Sequence, residues 1–160
     1  AMLDSYVSFV KTESPETIES IIINDVIKEC IKNINNQNYQ IHIEEKDKVK
    51  TSGRPLQLKR AFQNIIDNSK RYADIINIKI FLNTNGCNIE FNDNGQGIPK
   101  ESYEDVFKPF FTLDPSRNKL KGESGLGLTI TRDIIRSHGG EIKLDKSELG
   151  GLKLLVLLPL

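Results

Sequence analysis

The chain has 160 residues, enough for one domain with a sizeable core. Its 22 basic and 22 acidic residues cancel, so no global charge recruits nucleic acid or an anionic membrane, and any anion must be held locally. The two cysteines, Cys30 and Cys87, stand alone without a CxxC or paired histidines, which excludes a zinc signature and a disulfide framework and suits reduced thiols in a cytosolic compartment. No apolar run is long enough to span a bilayer, and no signal peptide is read.

In chain order, Ala1-Met2 reads as a cloning scar. Leu3, Tyr6, Val7 and Val10 then follow at helical spacing until Ser14-Pro15 cuts the pattern. Residues 1–13 are therefore expected to be the tail of an upstream helix, with the domain proper over 14–160. A helix is predicted over 17–34 from the stripe Ile22, Val26, Ile27, Cys30, Ile31 and Ile34. Strands are predicted at 39–45, at 48–53 (weaker, closed by Gly53), at 75–83 and at 87–93. The last two are joined by a hairpin at Thr84-Asn85-Gly86. Pro55 opens a helix over 55–73 at a position where its missing N–H costs little. Residues 95–124 are rich in Gly, Pro, Lys and Ser around one aromatic knot, VFKPFF, and a loop this long is expected to be a flexible lid. A helix entered through glycines is predicted over 125–140, stopped by Gly139-Gly140, and strands at 141–146 and 151–160 finish the chain. Helices with mostly antiparallel strands, rather than strict alternation, predict a two-layer α/β sandwich.

The helix over 55–73 is the best patterned. Leu58, Ala61, Phe62, Ile65, Ile66 and Ser69 form its buried stripe, while Asn64 and Asn68, four apart, share a face with Asp67 and Arg71. A merely solvated face would be better served by Glu or Lys, because Asn is a mediocre helix former. A neutral amide oxygen can complete the octahedron of a Mg²⁺ whose other ligands are phosphate oxygens and water. Lys70 and Arg71 could meet phosphate at the same end.

Asp93 closes a strand and is followed by Gly95 and Gly97 in DNGQGIP. A carboxylate there can take hydrogen bonds from an amino edge such as that of adenine. The glycines would let the backbone turn and approach a flat ligand without a Cβ in the way. The plain alternative is a turn capped by aspartate. A second cluster, Gly122, Gly125 and Gly127, leads into a helix whose N–H groups point at anions. It is neither a Walker loop, lacking Gly-Lys-Ser/Thr, nor a GxGxxG after a strand.

Together and in this order these segments resemble the boxes of sensor histidine kinases. NIIDNSKRYA is similar to their asparagine box, DNGQGIP to their first glycine box, FKPFF to their phenylalanine box and GLGL to their second glycine box. The resemblance covers about 50–160 by motif and from about 15 by pattern. It implies the catalytic ATP-binding domain with the Bergerat fold of the GHKL superfamily, shared with gyrase-type topoisomerases and mismatch-repair ATPases. The ending GGLKLLVLLPL and the short TLDPSRNKLKG lid are most similar to the osmolarity-sensing branch.

Carried over by position, the resemblance implies that Asn68 binds Mg²⁺ and Asn64 sits beside the phosphates. Lys70, Arg71 and Tyr72 would border phosphates and base. Asp93 would read adenine, with Gly95, Gly97 and Ile98 forming the pocket floor and lid hinge. Phe107, Phe110 and Phe111 would anchor the lid, and Gly125, Leu126, Gly127 and Leu128 would cradle the phosphates. Glu123 departs from the glycine common there, and must turn outward or meet Lys119 or Lys121. Neither His42 nor His138 sits in a phosphoacceptor motif, so both are expected to be structural and the phosphoacceptor lies outside this chain. The resemblance thus implies ATP and Mg²⁺ as cofactors and a kinase that is inactive without its phosphoacceptor domain. The implied partners are that dimerisation domain and a response regulator, not nucleic acid. The chain alone would be monomeric, the cytoplasmic part of an inner-membrane sensor. An ATP-gated module of the gyrase or mismatch-repair type is the alternative. It is disfavoured because those proteins carry a glutamate base in the asparagine helix, where this chain has Asn64.

Overall fold

The computed structural model describes residues 16–32, 34, 39–111 and 127–160. The expected upstream helix tail at 1–13, most of the lid, Glu123, Gly125 and Leu126 lie outside these residues. The order is β1 (Glu19–Ile22), α1 (Ile23–Ile31), β2 (Gln40–Glu45), β3 (Lys50–Gly53), α2 (Pro55–Tyr72), β4 (Ile75–Asn83), β5 (Gly86–Asp93), α3 (Gly127–Ser137), β6 (Glu141–Lys146) and β7 (Leu152–Leu158). Five strands form a mixed sheet in the order β2-β4-β5-β7-β6. Only the β2–β4 pair is parallel; the other three are antiparallel. With the helices packed on one face, this is the expected two-layer α/β sandwich.

The predicted helix over 17–34 is corrected at its start. Residues 19–22 form β1, antiparallel to β3 in a separate two-stranded ribbon, and the helix runs only from Ile23 to Ile31. Ile21, Ile22 and Ile23 form a β-branched run, which favours extended backbone where a partner strand is available. Ile21 and Ile23 are both buried, so the chain changes from strand to helix without leaving the core. Asn24, 2% exposed, fixes the junction. Its Nδ2 donates to Glu45 Oε1 and the Asp47 carbonyl, each at 2.9 Å, and its Oδ1 accepts the Val49 N–H at 2.9 Å.

The stripe expected on α2 is the observed one: Leu58, Ala61, Phe62, Ile65, Ile66 and Ser69 are all buried. Phe62 meets Phe91 of β5 with ring centroids 6.2 Å apart, locking helix to central strand. Arg54 at the N-cap offers no side-chain bond to the helix. Glu16 supplies the cap from a distance, accepting the Leu56 and Gln57 N–H groups at 2.7 and 3.0 Å, where the helix dipole favours a carboxylate.

His138 is structural, as expected. Its Nδ1 lies 2.8 Å from the Ile134 carbonyl, which can only accept, so Nδ1 carries the proton and Nε2 accepts the Arg54 N–H at 3.0 Å. His42 is exposed on β2 and contributes nothing to the core. Cys30 and Cys87 are buried free thiols, and burial pushes them up to about 11 and about 12. Among the described residues no helix is long and apolar enough to cross a membrane.

Candidate functional site

The central strand β5 delivers Asp93 to the sheet end on the helix-facing side, in phase with the buried Ile89 and Phe91. The aspartate is only 5% exposed. A carboxylate so buried needs donors, and backbone provides them: Oδ1 accepts the Gly95 and Leu152 N–H groups, both at 3.0 Å. The Gly151 N–H donates to the Asp93 carbonyl at 3.1 Å. Among the described residues nothing bonds to Oδ2. One carboxylate oxygen is therefore fixed by the protein, and the other keeps its acceptor capacity for whatever enters.

This cradle depends on Gly151, which the motif reading missed. A Cβ there would collide with Asp93 Oδ1 and lie 2.5 Å from the Gly95 nitrogen. Gly95 and Gly97, read as making room for a flat ligand, each meet a requirement of the protein itself. A Cβ on Gly95 would sit 2.9 Å from the Tyr72 carbonyl oxygen, and Gly97 has φ +73°, a left-handed value that disfavours side chains. Asn94, between the aspartate and Gly95, bridges the loop to the end of α2. Its Oδ1 accepts the Asp74 and Ile75 N–H groups at 3.1 and 3.0 Å, and its Nδ2 donates to Asp74 Oδ1 at 2.7 Å.

Facing Asp93 across this junction is the C-terminal half of α2. Asn64 donates from Nδ2 to the Gly127 carbonyl at 3.4 Å, tying α2 to the first residue of α3, and Thr131 donates to the same oxygen at 2.7 Å. Asn68, one turn on, is half-buried with no side-chain partner among the described residues. Lys70 places its ammonium 5.2 Å from the Tyr39 ring centroid. Arg71 and Tyr72 are half-buried in the last turn, and Tyr72 packs against Gly95.

Of the three phenylalanines in the aromatic knot, Phe107 alone is buried, beside the buried Val106. It closes a short turn, Asp105–Phe107, whose carbonyl accepts the Thr129 hydroxyl at 2.7 Å. The Arg132 guanidinium lies 4.3 Å from the Phe107 ring centroid and pairs with Glu104 at 2.7 Å. Phe111 packs partly against the core, whereas Phe110 is 46% exposed with φ 64°. Ile98 packs on the core edge, as does Leu128 in the first turn of α3. Among the described residues, a Cβ on Gly127 would meet nothing within 4 Å, so none of them requires a glycine there.

A mixed sheet with helices on one face, an aspartate held by backbone at a strand end and an asparagine-bearing helix opposite it define the Bergerat class of ATP-binding fold. Residues 53–160 match the family model for the histidine kinase-, DNA gyrase B- and HSP90-like ATPases, and the chain belongs to that family. It is 38% identical over 109 residues to the sensor histidine kinase CpxA of Escherichia coli, covering 68% of this chain and 24% of that protein. It is 36% identical over 138 residues to the signal transduction histidine-protein kinase ArlS of Staphylococcus aureus, covering 82% and 30%. The chain thus spans about a quarter to a third of the relatives it matches. Its fold superposes on the ATP binding domain of PrrB from Mycobacterium tuberculosis with a TM-score of 0.75 at 23% identity, covering 90% of this chain and 98% of that one. For the catalytic domain of the histidine kinase ThkA the TM-score is 0.77 at 24% identity, covering 89% and 95%.

Proposed function

We propose that residues 14–160 form the catalytic domain of a two-component sensor histidine kinase. The domain binds Mg²⁺ and ATP and passes the γ-phosphoryl group to a histidine on the parent's own dimerisation domain, for relay to a response regulator. In this reading the parent is a homodimeric sensor of the inner membrane, with this domain on the cytoplasmic side. The observation that carries it is the asymmetry of Asp93, with Oδ1 taken by two backbone donors and Oδ2 left for an amino group.

Asp93 accepts from the exocyclic amine of adenine. Gly95, Gly97 and Ile98 shape the floor, and Tyr72, Lys70 and Arg71 border the base and phosphates. Asn68, whose amide has no other described partner, is the residue that would hold Mg²⁺, which neutralises charge on the phosphates when bound. Gly125, Leu126, Gly127 and Leu128 meet the phosphates, and the space left open at Gly127 among the described residues suits that approach. Asn64 ties the two helices together beside them, and Phe107 fixes the entry to α3. Phosphoryl transfer of this kind rests on positioning and charge neutralisation rather than on a base within the domain. Residue 64 is Asn rather than Glu, so no carboxylate there activates water, which separates this reading from a gyrase-type ATPase.

Binding of a labelled ATP analogue with and without Mg²⁺ tests the reading. Saturable binding that strengthens with Mg²⁺ is expected; no binding under either condition would leave a scaffold that does not use nucleotide.

A further inference from the structure

The first turn of α3 carries Gly127 and Leu128, assigned above to the phosphates, and it is anchored unevenly. On the α2 side, Asn64 reaches the Gly127 carbonyl at 3.4 Å, a long bond. The other side is held more closely. The Thr129 hydroxyl donates to the Phe107 carbonyl at 2.7 Å. Arg132, three residues on and so on the same helix face, lays its guanidinium 4.3 Å from the centre of the Phe107 ring. One face of α3 thus grips the Asp105–Phe107 turn twice, through its backbone and through its ring.

The fold alone does not call for a cation at 132. Val106 and Phe107 are already buried, and an aliphatic side chain would cover the ring as well. The ion pair with Glu104 does not account for it either. The two groups meet at 2.7 Å, but the Glu104 side chain is 79% exposed against 17% for Arg132, so water screens the carboxylate and the pair contributes little. The stack on Phe107 is the contact made out of water, where a planar guanidinium on an aromatic face is attracted most strongly. Thr129 by itself would leave α3 a pivot. A second contact along the same face fixes the rotation of the helix, and with it the direction of the first-turn N–H groups, which have no partner within a helix.

We propose that Arg132 is a positioning residue for the phosphate end of the nucleotide, acting through Phe107 to set how the first turn of α3 is presented. It touches no ligand atom itself. The inference deepens the nucleotide-binding reading given above and rests on it.

The test is an NMR titration of the ¹⁵N-labelled chain with adenosine and, in Mg²⁺, with a non-hydrolysable ATP analogue. Arg132→Gln keeps a good helix former and removes the cation, so the domain should fold. It should weaken analogue binding about ten-fold, the loss of a largely desolvated cation–aromatic contact, and leave adenosine affinity within about two-fold of wild type. Arg132→Lys, which can still place a cation on the ring, should recover most of that loss. Glu104→Gln should change neither affinity by more than about two-fold. Phe107→Leu should weaken analogue binding as Arg132→Gln does, and the double variant no further, because the two residues act as one unit. Unchanged analogue affinity in Arg132→Gln, equal losses for analogue and adenosine, or additive losses in the double variant would each overturn the inference. A wild type that binds neither compound would instead remove the nucleotide reading, and the inference with it.

Discussion

Asp93→Asn exploits the asymmetry of the carboxylate. Two backbone N–H groups converge on Oδ1 at 3.0 Å each, so in the variant the amide oxygen must take that position. The amide NH₂ is then forced to where Oδ2 stood. The fold keeps both of its hydrogen bonds, while the edge offered to the ligand changes from acceptor to donor. Losing a hydrogen bond to a charged acceptor costs about 1.5–3 kcal/mol, which corresponds to roughly ten- to a hundred-fold in ATP affinity. The same geometry makes the wild type reject GTP, whose base presents a carbonyl where adenine has its amine, and the variant should narrow that gap. Calorimetry with both nucleotides, with the melting temperature as a fold control, reads each term. Equal affinity of the wild type for ATP and GTP, or an unchanged ATP affinity in Asp93→Asn with the fold intact, would refute the role of Oδ2.

Gly151→Ala should push the β7 start away from Asp93 Oδ1 and the Gly95 nitrogen, destabilising the domain by about 2–4 kcal/mol and lowering its melting temperature by roughly 5–15 °C; a wild-type thermal transition would contradict the close packing. Asn68→Ala and Asn68→Asp should remove the Mg²⁺ dependence of nucleotide binding more than the binding itself, and an unchanged Mg²⁺ effect by calorimetry would return Asn68 to the solvated surface. Because burial raises Cys30 to about 11 and Cys87 to about 12, both stay protonated at pH 8 and should resist iodoacetamide until the protein is unfolded; mass spectrometry of the native protein showing rapid modification of either would oppose the burial seen here.

The parts legible in the sequence were those whose cause is local. The α2 stripe repeats at helical spacing over several turns, and every residue assigned to it is buried. The β4–β5 hairpin announced itself through Asn85-Gly86, and in the structure Asn83 pairs with Gly86. β1 was illegible because Ile22, Val26 and Ile27 fit a helical stripe, and only pairing with β3 selects the extended form. In the candidate site, Asp93, Gly95 and Gly97 stood out as a motif. Gly151 and Leu152 did not, because their bonds to Asp93 cross from the far end of the chain. Asn94 carried no signal of its own within DNGQGIP, and its bridge to Asp74 and Ile75 follows only from where α2 ends. Phe110 matched a box by letter, which says nothing of its exposure or its positive φ.

Transfer of phosphate tests the central claim most directly. Incubated with Mg²⁺ and labelled ATP, the chain alone should show neither self-labelling nor appreciable hydrolysis. Added to the separate dimerisation domain of its parent, it should label a histidine there slowly, because loss of the covalent tether lowers the effective concentration. The product should be acid-labile and base-stable. Rapid ATP hydrolysis by the chain alone, or stable labelling of His42 or His138, would contradict the account.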